Sequence, residues 1–471
     1  MQAKIFFGST QSTKENVTER KSPFSGDVVS TAPACDVADT NKALQIAQEA
    51  TKAAKASTLS QRCNWLLDVA NKLRQNKEDI ASTITDEVGK PIAFARVEVE
   101  RCIETVTLSA ETMRTMHGET INTDAMASGK KTTAFFTREP AGVVAAITPF
   151  NFPLNLVAHK LAPALVAGNA VVLKPTPEAP LTAYKFAKLF IESEYAVKDA
   201  LSVVYGDAEV GSALITSDIP RVISFTGSVP VGNIITKNAG IKKVSLELGG
   251  NAATFIDKSA DLDLAAQRCA LGAFVNSGQV CISLQRIYVD TEIYEEFSQK
   301  MAEATKKLVV GSPYDEDTFM GPLIDDEAAS RAMGWVESAI EEGATPLLPP
   351  HREGRMFHPC VMADVTDDMA IVCEEVFAPI VSLVKVDGFD DACPRMNNSP
   401  YGLQFSVFTN DLSLTKRAID ELDAGGIVIN DMPTLRFDIQ PYGGVKLSGV
   451  GREGPKFAIE EMTEVKSVVI C

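Results

Sequence analysis

The feature that most limits the fold of this chain is a regular alternation of strand-like and helix-like segments that begins at Ala141. Short β-branched runs, namely VVAAIT, AVVLKP, LSVVYG and RVISFTG, are separated by the helix-like segments NLVAHKLAPALVAG, APLTAYKFAKLFIESE and DAEVGSALITS. Strands and helices that alternate in this way form βαβ units, and stacked βαβ units form a parallel sheet. The pattern therefore predicts an α/β fold whose ligands bind at the carboxyl ends of the strands.

The segments on either side of this region have different patterns. From Asp36 to about Met113 apolar residues recur at helical spacing, which predicts a run of helices, and a polar stretch from His117 to Lys131 follows. A second mixed region extends from about Asn251 to Val445. The segments TTAFFTREP and KSVVIC are strand-like but have no partner nearby in the sequence. We therefore expect them to pair with each other or with another subunit.

Length and composition limit the class of protein. At 471 residues the chain is too long for one compact core, so two or three domains are expected. A formal net charge of −17 disfavours nucleic acid and anionic membranes as partners, because phosphate binding needs concentrated Lys and Arg. The nine dispersed cysteines indicate reduced thiols, and the first residues lack a signal-peptide core, so we expect a cytoplasmic protein. The most apolar stretch, from Phe152 to Leu173, is interrupted by polar residues, so no membrane span is expected.

Two glycine motifs differ in their context. SGVGREG contains a G-x-G-x-x-G pattern, but too few residues follow it for a βαβ unit, so we interpret it as a turn before the last helix. SFTGSVPVG lies between a predicted strand and a predicted helix, where free N–H groups and the helix dipole favour a pyrophosphate. A tight turn without a ligand explains SFTGSVPVG about equally well. No metal-binding motif is present, so no metal site is predicted.

Three residues are candidates for chemistry, and each has a structural alternative. Cys281 follows a Gly-containing break, but a lone Cys is usually inert, and a nucleophile needs exposure, a lowered pKa and a nearby base. Glu247 ends an apolar strand in LELGG, where a carboxylate is costly unless it is satisfied by backbone N–H groups or functional. Asn151 in TPFNFPLN could donate to a developing oxyanion, although a turn residue is the better explanation for an isolated Asn.

The combination of motifs is more informative than any one of them. In chain order they are TPFNFPLN at Asn151, LKP at Lys174, FTGS at Gly227, LELGG at Glu247, GQVC at Cys281, EEVFAP at Glu375 and PYGGVKLSG at Gly443. With these motifs the sequence resembles the aldehyde dehydrogenase superfamily along nearly its whole length. Within it, the sequence looks closest to the branch of lactaldehyde and non-phosphorylating glyceraldehyde-3-phosphate dehydrogenases.

The resemblance implies a fold of three parts. These are a Rossmann-type parallel-sheet cofactor domain, an α/β catalytic domain and a small β oligomerisation element. Residues 1–117 and 138–249 would form the cofactor-binding domain, residues 250–445 the catalytic domain, and residues 118–137 with 446–471 the oligomerisation element. We expect a homodimer or homotetramer in which this element is completed across a subunit interface.

The resemblance also implies the reaction, in which a small polar aldehyde is oxidised to its acid. Cys281 would attack the aldehyde to give a thiohemiacetal, and the Asn151 amide with the Cys281 N–H would hold the oxyanion. Loss of a hydride would leave a thioester, which water activated by Glu247 would hydrolyse. Lys160 and Glu453 match positions that relay protons from that base.

The implied cofactor site bridges two domains. Gly227, Ser228 and Gly232 match the turn that binds the pyrophosphate. Lys174 matches a contact to the adenine ribose, and Glu375 matches a contact to the nicotinamide ribose. The full set of expected cofactor residues is Phe150, Lys174, Glu178, Gly206, Phe225, Gly227, Ser228, Gly232, Leu248, Glu375 and Phe377.

Two positions depart from the family pattern. Many NAD-specific members have an acid in KPxE that binds the ribose hydroxyls, whereas this chain has Pro177 there and Glu178 one place later. Without that acid a 2′-phosphate is not repelled, so NAD or NADP is expected, with NADP slightly favoured. Members that bind phosphorylated aldehydes have an Arg before the nucleophile, whereas this chain has Val280. Arg436 is either another contact for an anionic or hydroxylated substrate tail or a solvated loop charge.

Two other functions are compatible with parts of this pattern. A CoA-acylating aldehyde dehydrogenase would pass the acyl group to CoA, but such members commonly lack the acid that Glu247 matches. A catalytically silent relative would be expected to have lost Cys281, Glu247 or Asn151, and all three are present. The sequence therefore favours hydrolysis to the acid.

Overall fold

The structure, a computed structural model, describes residues 1–471 and contains two large sheets with helices packed against them. The first sheet has eight strands and the second has seven. All neighbouring strands are parallel except at the edges. The predicted α/β class with parallel sheets is therefore confirmed. None of the helices combines the length and the apolar character needed to cross a membrane.

The predicted helical run in the first part of the chain is also confirmed. Its helices are Val37–Ala56, Leu59–Gln75, Lys77–Val88 and Ile92–Thr115. The side chains of Asp36 and Thr58 cap the first two helices by accepting a backbone N–H. The sequence did not predict the short strands that come before this run, which are Ile5–Phe7, Thr10–Ser12, Val17–Lys21 and Val28–Pro33.

The first sheet contains the alternating region of the sequence. In spatial order its strands are Thr10–Ser12, Ile5–Phe7, Leu201–Val203, Ala170–Lys174, Val143–Ile147, Pro220–Thr226, Lys243–Glu247 and Gly449–Val450. The helices that alternate with the central strands are Asn155–Val166, Pro180–Ile191, Ala208–Thr216 and Val229–Asn238. The central strands are almost entirely buried, as expected for β-branched runs covered on both faces.

The second sheet is formed by the later mixed region. In spatial order its strands are Thr345–Pro346, Cys360–Ala363, Ile380–Val386, Leu284–Asp290, Ala252–Ile256, Gln404–Phe408 and Gly426–Ile429. Its helices are Leu262–Phe274, Tyr294–Lys306, Asp326–Glu341, Ala370–Cys373, Phe389–Asn397 and Leu412–Glu421. A 3₁₀ turn, Val275–Gly278, follows the first of these helices. Two short strand pairs complete this region, namely Arg352–Glu353 with Met356–Phe357 and Tyr401–Gly402 with Val445–Lys446.

A separate antiparallel pair joins the two strand-like segments that lacked partners in the sequence. Thr133–Pro140 pairs with Thr463–Ile470 along its full length, as predicted. Val465 and Val469 share one face of this pair and are each more than half exposed, as is Ile470 on the other face, so the pair has uncovered apolar residues.

The segment just before this pair belongs with the first sheet. Gly449–Val450 adds an antiparallel edge strand beside Leu246 and Glu247. The helix Pro455–Glu461 then packs against Ile92–Thr115 and Asn155–Val166. The predicted turn before the last helix is therefore present, and part of it also extends the sheet.

Candidate active site

Most of the predicted site residues lie at one edge of the first sheet. The residues that end its parallel strands or closely follow them are Phe150, Asn151, Lys174, Gly206, Gly227, Ser228, Glu247 and Leu248. Because the carboxyl ends of parallel strands meet at the same edge, residues far apart in sequence come together there.

The second sheet contributes residues from the opposite end of its strands. Cys281 comes shortly before the strand Leu284–Asp290, and Glu375 and Phe377 come shortly before Ile380–Val386. Only residues 248–251 separate the end of the strand at Glu247 from the start of the next at Ala252. The short link holds the carboxyl edge of the first sheet against the amino edge of the second.

A cavity of about 350 Å³ lies between these two edges. The predicted residues that line it are Phe150, Asn151, Gly227, Ser228, Glu247, Leu248, Cys281, Glu375 and Phe377. The predicted residues that do not line it are Lys160, Lys174, Glu178, Gly206, Phe225 and Gly232. The cavity therefore contains the expected reacting groups, while Lys160 and the expected adenine contacts lie outside its wall.

The loop that carries Cys281 has a strained backbone. Asn276 and Ser277 both have positive φ angles, 52° and 57°, which for residues other than Gly cost roughly 1–2 kcal/mol each. The Ser277 hydroxyl donates to the carbonyl of Gly321 at 2.8 Å, and the Asn276 amide donates to the carbonyl of Asn151 at 3.4 Å. These contacts hold the strained turn and thereby fix the position of Cys281.

The Cys281 thiol is half-buried and has one side-chain partner. Its Sγ lies 3.0 Å from the Tyr442 hydroxyl. Burial raises the pKa of the thiol to about 12, and the hydrogen bond with Tyr442 opposes this rise. The structure thus gives the thiol a hydrogen-bond partner but does not give it the lowered pKa expected of a reactive thiol.

Asn151 adjoins the same loop. Its amide nitrogen donates to the carbonyl of Gln279 at 3.0 Å, and its amide oxygen accepts the N–H of Phe152 at 3.1 Å. The side chain is thus both a turn residue and a neighbour of Cys281. One of its two amide N–H groups remains available to a ligand oxygen.

A buried ion pair positions the Asn151 loop. Glu98 accepts the backbone N–H groups of Leu154 at 2.9 Å and Asn155 at 3.1 Å, at the start of the helix Asn155–Val166. Its other oxygen is paired with Lys90, whose ammonium lies 3.9 Å above the Phe152 ring. The carboxylate therefore caps a helix that has no cap of its own, and it fixes the loop from both sides.

Glu247 is a buried carboxylate without hydrogen-bond partners. It is only 4% exposed, and neither of its oxygens has a donor. Burial, and then the nearby charge of Glu453, raises its pKa well above the ordinary value. A Cβ on Gly443 would lie 2.7 Å from Oε1, so the glycine in PYGG leaves the space that this carboxylate occupies. The alternative interpretation, in which backbone N–H groups donate to the Glu247 carboxylate, is therefore wrong.

Lys160, behind the cavity wall, contacts Glu453, which lines the cavity. The Lys160 ammonium donates to Thr226 Oγ1 at 2.8 Å, Ser224 Oγ at 3.2 Å and Glu453 Oε1 at 3.3 Å. Burial alone would raise the pKa of Glu453, but Lys160, His159 and Arg436 outweigh it and lower the pKa to about 2. The ionised carboxylate of Glu453 thus lies near the carboxyl of Glu247, whose pKa is raised.

The predicted pyrophosphate turn has the features that an anion requires. Ser228 precedes the helix Val229–Asn238, but its side chain makes no capping hydrogen bond, so the N–H groups of Val229 and Val231 are free, while Pro230 between them has no N–H. Gly232 lies on this helix, where a Cβ would come within 2.7 Å of Leu248 Cδ1. The glycine lets the helix pack closely against the cavity wall, while Phe225 is buried in the strand below.

Glu375 and Phe377 form the wall opposite this turn. Glu375 accepts the N–H of Gly250 at 3.0 Å, and burial raises its pKa to about 7. The ring of Phe377 meets that of Phe150 edge to face, with centroids 6.0 Å apart. A polar acceptor thus lies next to an aromatic surface, which suits a ribose joined to a flat ring.

The expected adenine contacts lie further along the same sheet edge. Lys174 is buried, and burial lowers its pKa. The negative charges of Glu178 and Asp207 act in the other direction and raise it. Glu178 is hydrogen-bonded to the hydroxyl of Thr176, so its carboxylate is turned back onto its own loop. Gly206, with a φ of 145°, forms the turn before the helix Ala208–Thr216.

The solvated-charge alternative for Arg436 is wrong. Its side chain is 9% exposed and lines the cavity, and Nη2 donates to Glu453 Oε2 at 3.1 Å. Its guanidinium also lies 3.7 Å from the centre of the Tyr442 ring. Sequence reasoning missed Tyr442 and the cavity residue Arg101, although Tyr442 belongs to the PYGG motif. Only the glycine of that motif had drawn attention.

Comparison with known proteins identifies the family. Residues 9–468 match the aldehyde dehydrogenase family, and the chain belongs to it. A 3-sulfolactaldehyde dehydrogenase of Priestia aryabhattai is 46% identical over 435 residues, which are 92% of this chain and 90% of the relative. A lactaldehyde dehydrogenase of Methanococcus aeolicus is 39% identical over 456 residues, which are 96% of this chain and 97% of the relative.

Solved structures agree with this assignment. The NADP-dependent glyceraldehyde-3-phosphate dehydrogenase of Bacillus halodurans, solved with NADP, has a TM-score of 0.97 at 33% identity. The match covers 100% of this chain and 99% of that one. The predicted superfamily, its branch and the fold are confirmed, and the protein is an NAD(P)-dependent aldehyde dehydrogenase.

Proposed function

We propose that this enzyme oxidises a small aldehyde with a polar or anionic tail to the free carboxylic acid. The observation that carries the proposal is Glu247, a buried carboxylate with no hydrogen-bond partner on the same cavity as Cys281. Leaving such a group without a partner costs stability, so its retention favours a functional role. A base that can activate water beside a thioester leads to hydrolysis rather than transfer to CoA.

The first half of the reaction forms a bond to Cys281. Its thiolate attacks the aldehyde carbon, and the resulting oxyanion takes hydrogen bonds from the Asn151 amide and the Cys281 N–H. A hydride then leaves the tetrahedral carbon, the carbonyl re-forms, and a thioester on Sγ remains. The dinucleotide supplies the acceptor for that hydride.

The second half restores the thiolate. Glu247 takes a proton from water, the hydroxide attacks the thioester carbon, and Sγ leaves as a thiolate with release of the acid. The raised pKa of Glu247 matches this role, because a stronger base takes the proton more readily. Glu453, on the cavity wall, and Lys160, in contact with it from behind, provide a route for that proton.

The residues of the cavity fit a dinucleotide. The uncapped helix start at Ser228 would hold the pyrophosphate, and Glu375 would bind the nicotinamide ribose. Lys174 would contact the adenine ribose. Since Pro177 replaces the ribose-binding acid and Glu178 is bonded to Thr176, we propose that NADP is accepted at least as well as NAD. This choice agrees with the NADP-bound relative.

Two guanidinium groups favour a substrate with an anionic or hydroxylated tail. Arg101 and Arg436 both line the cavity; Arg101 is paired with Asp438, and the buried Nε of Arg436 makes no hydrogen bond, although Asp438 Oδ1 lies 3.5 Å away. A ligand oxygen could take that N–H. The relatives named for sulfolactaldehyde and glyceraldehyde 3-phosphate act on anionic hydroxyaldehydes, and we propose the same substrate class here.

Cys281→Ser should abolish aldehyde oxidation and leave dinucleotide binding nearly unchanged, because the nucleophile is lost while the cofactor contacts remain. Aldehyde oxidation is measured by the absorbance of the reduced nicotinamide. The substrates are lactaldehyde, sulfolactaldehyde and glyceraldehyde 3-phosphate, each tested with NAD and with NADP, and with and without CoA. Dinucleotide binding is measured by fluorescence titration with the cofactor. Cys373→Ser, at a thiol outside the cavity, is the matched control. Turnover that needs CoA, or turnover by Cys281→Ser, contradicts the proposal.

Glu247→Gln should separate the two half-reactions. If Glu247 acts in hydrolysis, about one equivalent of reduced cofactor forms quickly and a slow steady state follows. In the wild type, kcat should fall as the pH drops through the raised pKa of Glu247, because the base is then protonated, and this acidic limb should vanish in the variant. Stopped-flow absorbance checks both effects, with Glu374→Gln as an exposed control. A uniformly slow time course without a burst would show that acylation itself depends on Glu247.

Pro177→Glu should move cofactor preference toward NAD. The new carboxylate can accept from the ribose hydroxyls and repel a 2′-phosphate. A charged hydrogen bond contributes about 1.5–3 kcal/mol, so the ratio of the two kcat/KM values should change on the order of tenfold or more. Pro349→Glu adds the same charge at an exposed site away from the cavity. A strictly NAD-specific wild type, or an unchanged ratio in Pro177→Glu, rules out this role for position 177.

We further propose a homodimer or homotetramer built through the strand pair Thr133–Pro140 and Thr463–Ile470. Its exposed apolar residues would be covered by another subunit. Residues 118–137 and the terminal strand Thr463–Ile470 would then form the oligomerisation element, beside a cofactor domain of residues 1–117 and 138–249 and a catalytic domain of residues 250–445. Residues 449–461 would belong with the cofactor domain, on which they pack. The free thiols support a cytoplasmic location. Sedimentation velocity should show an assembly, and a stable monomer contradicts this proposal.

A further inference from the structure

Tyr442 contacts the sulfur that performs the proposed reaction. Its hydroxyl lies 3.0 Å from Cys281 Sγ and makes no other hydrogen bond within the protein. The residue is 5% exposed, so little water reaches this pair. A neutral thiol and a hydroxyl can each be the donor, but a thiolate has no proton to give. Once Cys281 ionises, the hydroxyl must be the donor.

The position of Tyr442 is fixed from two sides. Its backbone N–H donates to the carbonyl of Glu453 at 3.1 Å, and the N–H of Glu453 donates back at 2.7 Å. The guanidinium of Arg436 lies 3.7 Å from the centre of its ring. A cation over a phenol ring draws electron density from it and makes the O–H a stronger donor.

The other charged groups that face Cys281 do not offer it a hydrogen bond. The carboxylates of Glu247, at the end of a first-sheet strand, and Glu375, before a second-sheet strand, both disfavour a thiolate by charge. Arg436 favours it, but only through its charge. Of all the influences on the pKa of Cys281, burial is the largest, and it opposes ionisation of the thiol. The hydrogen bond with Tyr442 is the largest influence that favours ionisation.

We propose that Tyr442 is a further catalytic residue, whose hydroxyl donates a hydrogen bond to the Cys281 thiolate and so sets the pH range in which the nucleophile forms. The inference rests on the proposed function, in which Cys281 is the nucleophile. A hydrogen bond to the charged form of an acid favours that form. A phenylalanine would fill the same space and keep the contact with Arg436, but it would leave the thiolate without this donor.

The experiment measures ionisation of Cys281 directly and does not depend on turnover. Wild type and Tyr442→Phe are alkylated with iodoacetamide at a series of pH values, and the labelled Cys281 peptide is followed by mass spectrometry. Loss of this donor should raise the pKa of the thiol by about one unit, so alkylation of Cys281 in Tyr442→Phe should be about tenfold slower at every pH below that pKa. Tyr314→Phe removes a hydroxyl that donates to Asp86 away from the cavity, and it should leave the curve unchanged.

Two results would overturn the inference. One is an unchanged rate in Tyr442→Phe, and the other is a faster rate, which identifies Tyr442 as a steric shield of the thiol. The activity of Cys281→Ser separates this inference from the proposed function. An inactive Cys281→Ser together with a wild-type curve for Tyr442→Phe removes only the role of Tyr442. An active Cys281→Ser removes the nucleophile itself, whatever the alkylation curve shows.

Discussion

The whole site depends on how two parallel sheets meet. The carboxyl ends of the first sheet face the amino ends of the second, because residues 248–251 leave the chain no room to separate them. Loops at the carboxyl end of a parallel sheet gather at one edge. This edge supplies Asn151 and Glu247, while the opposing edge supplies Cys281 and Glu375. Neither edge alone supplies both Cys281 and Glu247, so the proposed chemistry requires the junction.

Buried charges around this junction fall into two classes. Lys160, Arg436 and Glu453 compensate one another through contacts of 3.1–3.3 Å, and Lys90 with Glu98 forms a second compensated pair. Glu247 has no such partner. Compensated charges hold loops and helix ends in place, whereas an uncompensated carboxyl keeps a raised pKa and the ability to take up a proton. The carboxyl that the proposed hydrolysis uses is therefore left without a compensating contact.

Sequence patterns predicted the features that depend on local order. The β-branched runs and helical periodicity gave the parallel sheets and the helices from Val37 to Thr115, and motif order gave the family. Of the strands before Val37, Ile5–Phe7 and Thr10–Ser12 were missed because three residues are too few to show a period. Burial of Arg436 and contact of Tyr442 with Cys281 were also out of reach. Both depend on how the loop after Asn430 folds over the cavity, and nothing in local sequence specifies that placement.

The edge strand Gly449–Val450 and the helix Pro455–Glu461 have a consequence for the order of folding during synthesis. The strand pairs with Leu246 and Glu247, and the helix packs on elements that begin at Ile92. Domains usually fold as they leave the ribosome, in order from the amino terminus. Here the first sheet stays without one edge until about two hundred further residues have been made, a separation that slows folding. Glu453 is synthesised with this last edge. The growing chain therefore contains Cys281 and Glu247 before it contains Glu453, which is part of the proposed route for their protons.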